Sequence, residues 1–187
     1  MGKTYQEVSD DLAAWVRSQP LFFVGTAPLR GDGHVNISPK GLDTLRILDA
    51  NRVAYLDLTG SGAETIAHVR ENGRIVLMFC AFSGPPKIVR FHGKARIVTP
   101  RAPDWAALRG RFAPHLGARA VIDVAVTRIS DSCGYGVPSF GEAKQREALD
   151  MWTDKRGAAG LVEYRAQKNA RSIDGLPAFA PQDEEPR

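Results

Sequence analysis

The stretch LDLTGSGAETIAHVRENG, residues 56–73, constrains the fold more than any other part of the chain. It joins an apolar run to a helix-like pattern through Thr59, Gly60, Ser61 and Gly62. A strand that stops at small and hydroxyl residues and restarts as a helix presents unpaired backbone N–H groups, and the natural guest of such a turn is an anion. The turn is not a dinucleotide fingerprint, because it lacks the third glycine and an acidic residue about 20 positions further on. Nor is it a P-loop, since no Gly-Lys-Ser/Thr follows.

Around this turn the chain reads as six strands in mostly hairpin order. LFFVGTAPL is expected as a strand buried on both faces, closed by the turn RGDGH, and HVNISPKG as the returning strand. RVAYLDL is the third. RIVLMFCAF follows the Asn72-Gly73 turn as the fourth, rich in branched and aromatic residues that suit a pleated core. PPKIVRFHGKARIV is the fifth, with Gly93 marking a bulge or bend, and AVIDVAVTRISDS is the sixth. Val8, Leu12, Trp15 and Val16 share a helical face that predicts an amphipathic N-terminal helix ended by Pro20. A helical segment is expected from about residue 142 to 168, broken near Gly157 and Gly160. Residues 1–178 thus read as one domain, mainly β with flanking helices, and residues 179–187 as a disordered tail. One helix inserted between the third and fourth strands suits an antiparallel barrel, closed or half-closed, rather than a parallel βαβ sheet.

Composition narrows the functional classes. Hydrophobic residues make up 43% and charged residues 25% of the 187, the balance of a soluble globular domain. No apolar run approaches the ~20 residues of a membrane span and no signal peptide opens the chain, so no membrane contact and a cytoplasmic location are expected. The net charge of +4 suits an anionic ligand, but no nucleic-acid motif accompanies it. Cys80 and Cys133 lack metal-site spacing, so no metal is expected and both read as reduced thiols.

The order HVNISPKG, then RVAYLDLTGSGAETIAHVRENGRIVLMF, then VRFHGKARIV resembles the flavin-binding split β-barrel family of the pyridoxamine 5'-phosphate oxidase type, across residues 21–98. The resemblance implies a six-stranded antiparallel split barrel forming a homodimer with two cofactor sites at the interface. Each site would bind flavin mononucleotide (FMN) or a deazaflavin. In the family a basic residue ending the second strand, hydroxyls after the third and the following helix start hold the cofactor phosphate. Lys40 matches the first of these, and Thr59 and Ser61 match the hydroxyls. Ser38, Gly62, Thr65 and Arg90 complete the candidate set, Arg90 as a cation that reaches the cofactor across the dimer or makes an ordinary ion pair.

The sequence also departs from the family. Oxidases proper carry Ser-Arg-Lys at the helix start, where this chain has Ala63-Glu64-Thr65. A glutamate there repels a phosphate, or points to solvent while favouring the helix dipole. The substrate-side histidine and arginine of the true oxidases have no counterpart, so pyridoxamine phosphate oxidation is not expected. Three readings follow. The first is an FMN-dependent oxidoreductase passing electrons from NAD(P)H to a small organic acceptor. The second is a flavin, deazaflavin or tetrapyrrole binder without turnover, and the third a barrel that has lost its cofactor. Each candidate also has a plain alternative, Lys40 as a hairpin lysine and residues 59–62 as a helix cap without ligand. Catalytic residues are not legible. His68 and His92 lack a paired acid at a telling spacing.

Overall fold

The computed structural model describes residues 2–184. All six expected strands are present, as β2 (Phe22–Thr26), β3 (Asn36–Lys40), β5 (Arg52–Leu58), β6 (Arg74–Cys80), β7 (Ile88–Val98) and β8 (Ala118–Ser132). Two short strands join them, β1 (Thr4–Tyr5), paired with the far end of β8, and β4 (Leu45–Asp49), paired with β5. The sheet runs β3-β2-β6-β7-β8-β5-β4, and every pairing is antiparallel. Its two edges, β3 and β4, are neighbours in sequence but do not pair, which makes the barrel split.

Periodicity explains the burial. On β2, Phe22, Val24 and Thr26 are buried while Phe23 and Gly25 are only half-buried. The strand therefore has one core face, not two. The strand buried on both faces is β5: Val53 and Tyr55 join the main core, and Ala54 and Leu56 join a second cluster with Leu108 and Phe112. Leu108 belongs to the short helix α3 (Trp105–Arg109). The main core draws Leu12 and Val16 from α1 (Asp10–Arg17) and Ile66 from α2 (Glu64–Asn72). Val24, Leu77 and Phe91 have no exposed surface, and each such side chain contributes about 1.5–3 kcal/mol.

Turn chemistry sets the joints. Gly73 ends α2 with φ 71°, a left-handed cap whose N–H donates to the Val69 carbonyl at 2.9 Å. At Gly93 the β7–β8 register shifts, and a Cβ there would lie 2.3 Å from the Ala125 carbonyl oxygen, so the bend requires glycine. The long helix α4 (Ala148–Lys168) breaks at Gly157, where φ is 66° and ψ 171°. No helix among the described residues is long and apolar enough to cross a membrane.

The chain after α4 differs from the sequence expectation. Phe179, expected in a disordered tail, is 1% exposed in the main core. A 3-10 turn at Pro181–Asp183 follows, and Asp183 pairs with Arg70 at 2.7 Å. A buried phenylalanine anchors what the prolines and acids of the sequence suggested was loose. Residues 185–187 of that expected tail lie outside the described residues.

Candidate functional site

The site is built where β3, the end of β5 and the start of α2 meet. Direct pairing of Phe22 with Lys40, Val24 with Ser38 and Thr26 with Asn36 places Lys40, Ser38 and Asn36 on the core-facing side of edge strand β3. All three are half-buried rather than sealed, because no strand covers that edge. Ser38 Oγ donates to Asn36 Oδ1 at 2.9 Å, and Asn36 Nδ2 donates to Thr26 Oγ1 and Thr65 Oγ1, both at 3.1 Å. The row on β3 is thereby tied to the first turn of α2.

At the other end of the row Lys40 crosses the split. Its Nζ donates to Asp57 Oδ1 at 3.2 Å, and Arg119 Nε donates to Asp57 Oδ2 at 2.6 Å. Asp57 is fully buried. Burial pushes its carboxyl up, but Arg119 and Lys40 more than offset this and hold it below the usual carboxylate range. The same carboxylate, with burial the larger cause, pushes the Tyr55 hydroxyl well above its ordinary value.

Arg119 then reaches the turn itself. Its Nη2 donates to the Gly62 carbonyl at 2.9 Å and its Nη1 to Asn169 Oδ1 at 2.8 Å, while Asn169 Nδ2 donates to the Gly60 carbonyl at 2.9 Å. In a trans peptide the N–H points opposite to the carbonyl. Anchoring the Gly60 and Gly62 carbonyls therefore turns the N–H groups of Ser61 and Ala63 away from Arg119 and Asn169. Ser61 and Gly62 are exposed, and no side chain caps the start of α2. The turn keeps the anion-suited character read from the sequence, and it acquires that character from a scaffold more than 50 residues away in the chain.

Thr59 belongs to the scaffold rather than the surface. Its hydroxyl donates to the Gly117 carbonyl at 2.9 Å and accepts from Arg165 Nη1 at 3.2 Å, and it is fully buried. Arg165 is fixed in turn by Glu184, whose two oxygens lie 2.6 Å from its Nε and Nη2. Glu64 does not point to solvent: its Oε1 accepts from the Ile173 N–H at 3.1 Å, and a Cβ on Gly62 would lie 2.6 Å from its Oε2. A carboxylate thus sits against the turn at the position where the family's oxidases carry cations.

Six of the seven candidates, Ser38, Lys40, Thr59, Ser61, Gly62 and Thr65, fall in this one cluster. Arg90 does not join them within the chain. It pairs across the sheet with Met78, which pairs with Phe23, so it lies on the opposite face and its Nη1 donates to Ser132 Oγ at 3.1 Å. Asp57, Arg119, Arg165 and Asn169 were not singled out from sequence. The available signal was a charged residue inside an apolar run: Asp57 in VAYLDL and Arg119 before AVIDVAV.

As a donor set the turn suits a phosphate monoester, with the N–H and hydroxyl of the exposed Ser61 and with Lys40 on the same scaffold. Glu64 opposes it.

A model of the pyridoxamine 5'-phosphate oxidase family matches residues 8–133. The pyridoxamine 5'-phosphate oxidase family protein ustO of Aspergillus flavus is 40% identical over 194 residues, covering 94% of this chain and 77% of its own length. Among solved structures, HupZ of Group A Streptococcus is 25% identical with a TM-score of 0.53, covering 72% of this chain and 98% of that one. A protein of Lactobacillus delbrueckii, named for the same oxidase, is similar in fold alone, at 15% identity and a TM-score of 0.52 over 67% of this chain and 94% of that one. A family match over two thirds of the residues and a relative this similar along nearly the whole chain place it: the protein belongs to the pyridoxamine 5'-phosphate oxidase family.

Proposed function

We propose that this protein is an FMN-dependent oxidoreductase that acts as a cytoplasmic homodimer and passes electrons from NAD(P)H to a small organic acceptor. The observation that carries the reading is the anchored turn, in which Arg119 and Asn169 hold the Gly62 and Gly60 carbonyls and direct the N–H of the exposed Ser61 away from the scaffold. Ser61, the turn N–H groups and Lys40 would hold the phosphate, and Asn36 and Ser38 would border the ring. FMN would supply the redox chemistry, leaving the protein to bind and orient it. The dimer is supported by the outer face of the sheet, where Val35 and Ile37 are each 69% exposed beside Val76 and His92. In a dimer Arg90, on that same face, would belong to the partner's site.

The test is a visible spectrum of the purified protein before and after incubation with FMN and gel filtration, with the size read from the same column. A retained flavin band on a dimer, bleached by NADH or NADPH, is expected. A colourless protein that releases all added flavin overturns the reading. Binding of a flavin, deazaflavin or tetrapyrrole without turnover is the second reading. A band that neither nicotinamide bleaches would establish it. Glu64 against the turn, with the Thr59 and Thr65 hydroxyls already bonded within the chain, favours instead a barrel that has lost its cofactor, which a protein that stays colourless would support.

A further inference from the structure

The chain has four histidines, and the structure separates them by what their ring nitrogens do. His115 Nδ1 accepts from the Gly117 N–H at 2.9 Å and its Nε2 lies 2.8 Å from Asp150, so its nitrogens are spent on the loop before β8 and on α4. His68 is fully buried with Nδ1 on Thr26 Oγ1, and burial pushes it below its ordinary value. His92 lies on the outer face of the sheet, across from Val76. His34 is different. Its Nδ1 lies 2.6 Å from Asp174 Oδ1 and its backbone N–H donates to Asp174 Oδ2 at 2.8 Å, while its Nε2 has no partner among the described residues.

One carboxylate grips both the backbone and the ring of His34, which fixes the side chain as well as the tautomer. A carboxylate partner accepts a hydrogen bond from Nδ1–H, so the neutral ring presents a bare lone pair at Nε2. Asp174 can do this because a tight turn holds it: the Gly175 N–H donates to the Ser172 carbonyl at 3.0 Å, with Gly175 at φ 79°, and the Leu176 N–H donates to Ser172 Oγ at 3.1 Å. The Asp174 side chain is 10% exposed and that of His34 70%. The acid is packed away and the imidazole is open.

The pair also lies at the candidate site. His34 lies two residues before β3, in the loop that leads into the strand carrying Asn36, Ser38 and Lys40. Ile173, next to Asp174, donates its N–H to Glu64 at the start of α2, and Asn169 of the same segment holds Gly60. The β3 row thus has an ion cluster at its Lys40 end, and an oriented imidazole on the loop before its Asn36 end. The other charged groups near the ring are Arg30 and Asp32, paired with each other at 2.7 Å, and Glu71, which accepts from the Leu29 N–H.

We propose that His34 is the proton acceptor and donor of this site, with Asp174 as its positioning residue, acting on a ligand that carries a weakly acidic N–H or O–H. Nε2 takes the proton, the bonding electron pair stays on the ligand as an anion, and Asp174 balances the imidazolium. The reverse transfer protonates a ligand anion. The proposal rests on the reading of the β3 row as a ligand site.

Nitrogen-15 NMR of the full chain, with FMN as the probe, tests it. Neutral His34 is expected as the Nδ1–H tautomer, and FMN is expected to shift its Nε2 together with the Ser61 and Ala63 amides. Asp174→Asn is expected to invert the tautomer, since a carboxamide N–H donates to Nδ1, without releasing FMN. His34→Gln is expected to retain FMN but to lower NADPH oxidation about 10²-fold and to remove the acid limb of its pH profile. If FMN moves the turn amides and leaves His34 untouched, or if His34→Gln keeps the full rate, the proposal is overturned while the flavin reading stands. If neither group moves and no flavin is retained, the flavin reading falls and takes the proposal with it.

Discussion

Two carboxylates in this molecule are each held by two cations, and they serve different ends. Asp57 sits between Lys40 and Arg119, whose side chains are 24% and 4% exposed. Asp123 sits between Arg52 and Arg96, 41% and 50% exposed. The Asp123 cluster stitches together β5, β7 and β8, and its arginines have water as an alternative partner. The Asp57 cluster continues through Arg119 and Asn169 into the backbone of the 59–62 turn, and Asp57 and Arg119 are shut off from water. The same charge pattern is a strap between strands in one place and the foundation of the 59–62 turn in the other. The difference lies in what else each arginine is asked to hold.

Breaking each cluster at its centre should show this. Arg119→Met leaves Asp57 buried with Lys40 alone and strips the Gly62 carbonyl of its donor, and it is expected to cost about 3–5 kcal/mol in urea denaturation. Asn169→Ala leaves the Gly60 carbonyl unpaired and is expected to cost about 1–3 kcal/mol, with faster amide exchange at Ser61 as its local signature. Asp123→Asn frees two half-exposed arginines to water, so about 1 kcal/mol or less is expected.

Acid titration sharpens the comparison further. Burial raises both carboxyls, but the paired cations bring each below the usual range. A group depressed in the folded state stabilises above its unfolded value, near 3.9, and loses that contribution as pH falls through its folded value. Asp57→Asn and Asp123→Asn should therefore each flatten the acid limb of stability below about pH 4, with little change in slope between pH 5 and 8.

The sequence made the turn visible but not its foundation, for a physical reason. The strand, the glycines and the helix start are local, so period and turn chemistry reveal them. The β-rich runs likewise revealed six strands, while β4, no shorter than β2 or β3, escaped because LRILD shows no alternation of buried and exposed positions. The residues that aim the turn lie far away: Arg119 is 57 positions from Gly62, and Asp174 is 140 from His34. No window of the chain contains both ends of such a contact. Arg90 shows the complementary limit, because assigning it a face requires the β2–β6–β7 register rather than its own neighbours.

The reach of the C-terminal segment also sets an order of assembly. Asn169 meets Gly60 across 109 positions, and Arg165 meets Thr59 across 106. The strands through β8 can pair once residue 132 has emerged from a ribosome, but the turn has to wait for α4 and the residues after it. A nascent chain therefore owns its paired strands before it owns the anchored turn. The carbonyls of Gly60 and Gly62 gain both of their side-chain donors only after residue 169 has been made, so the orientation of the turn is a late event relative to strand pairing.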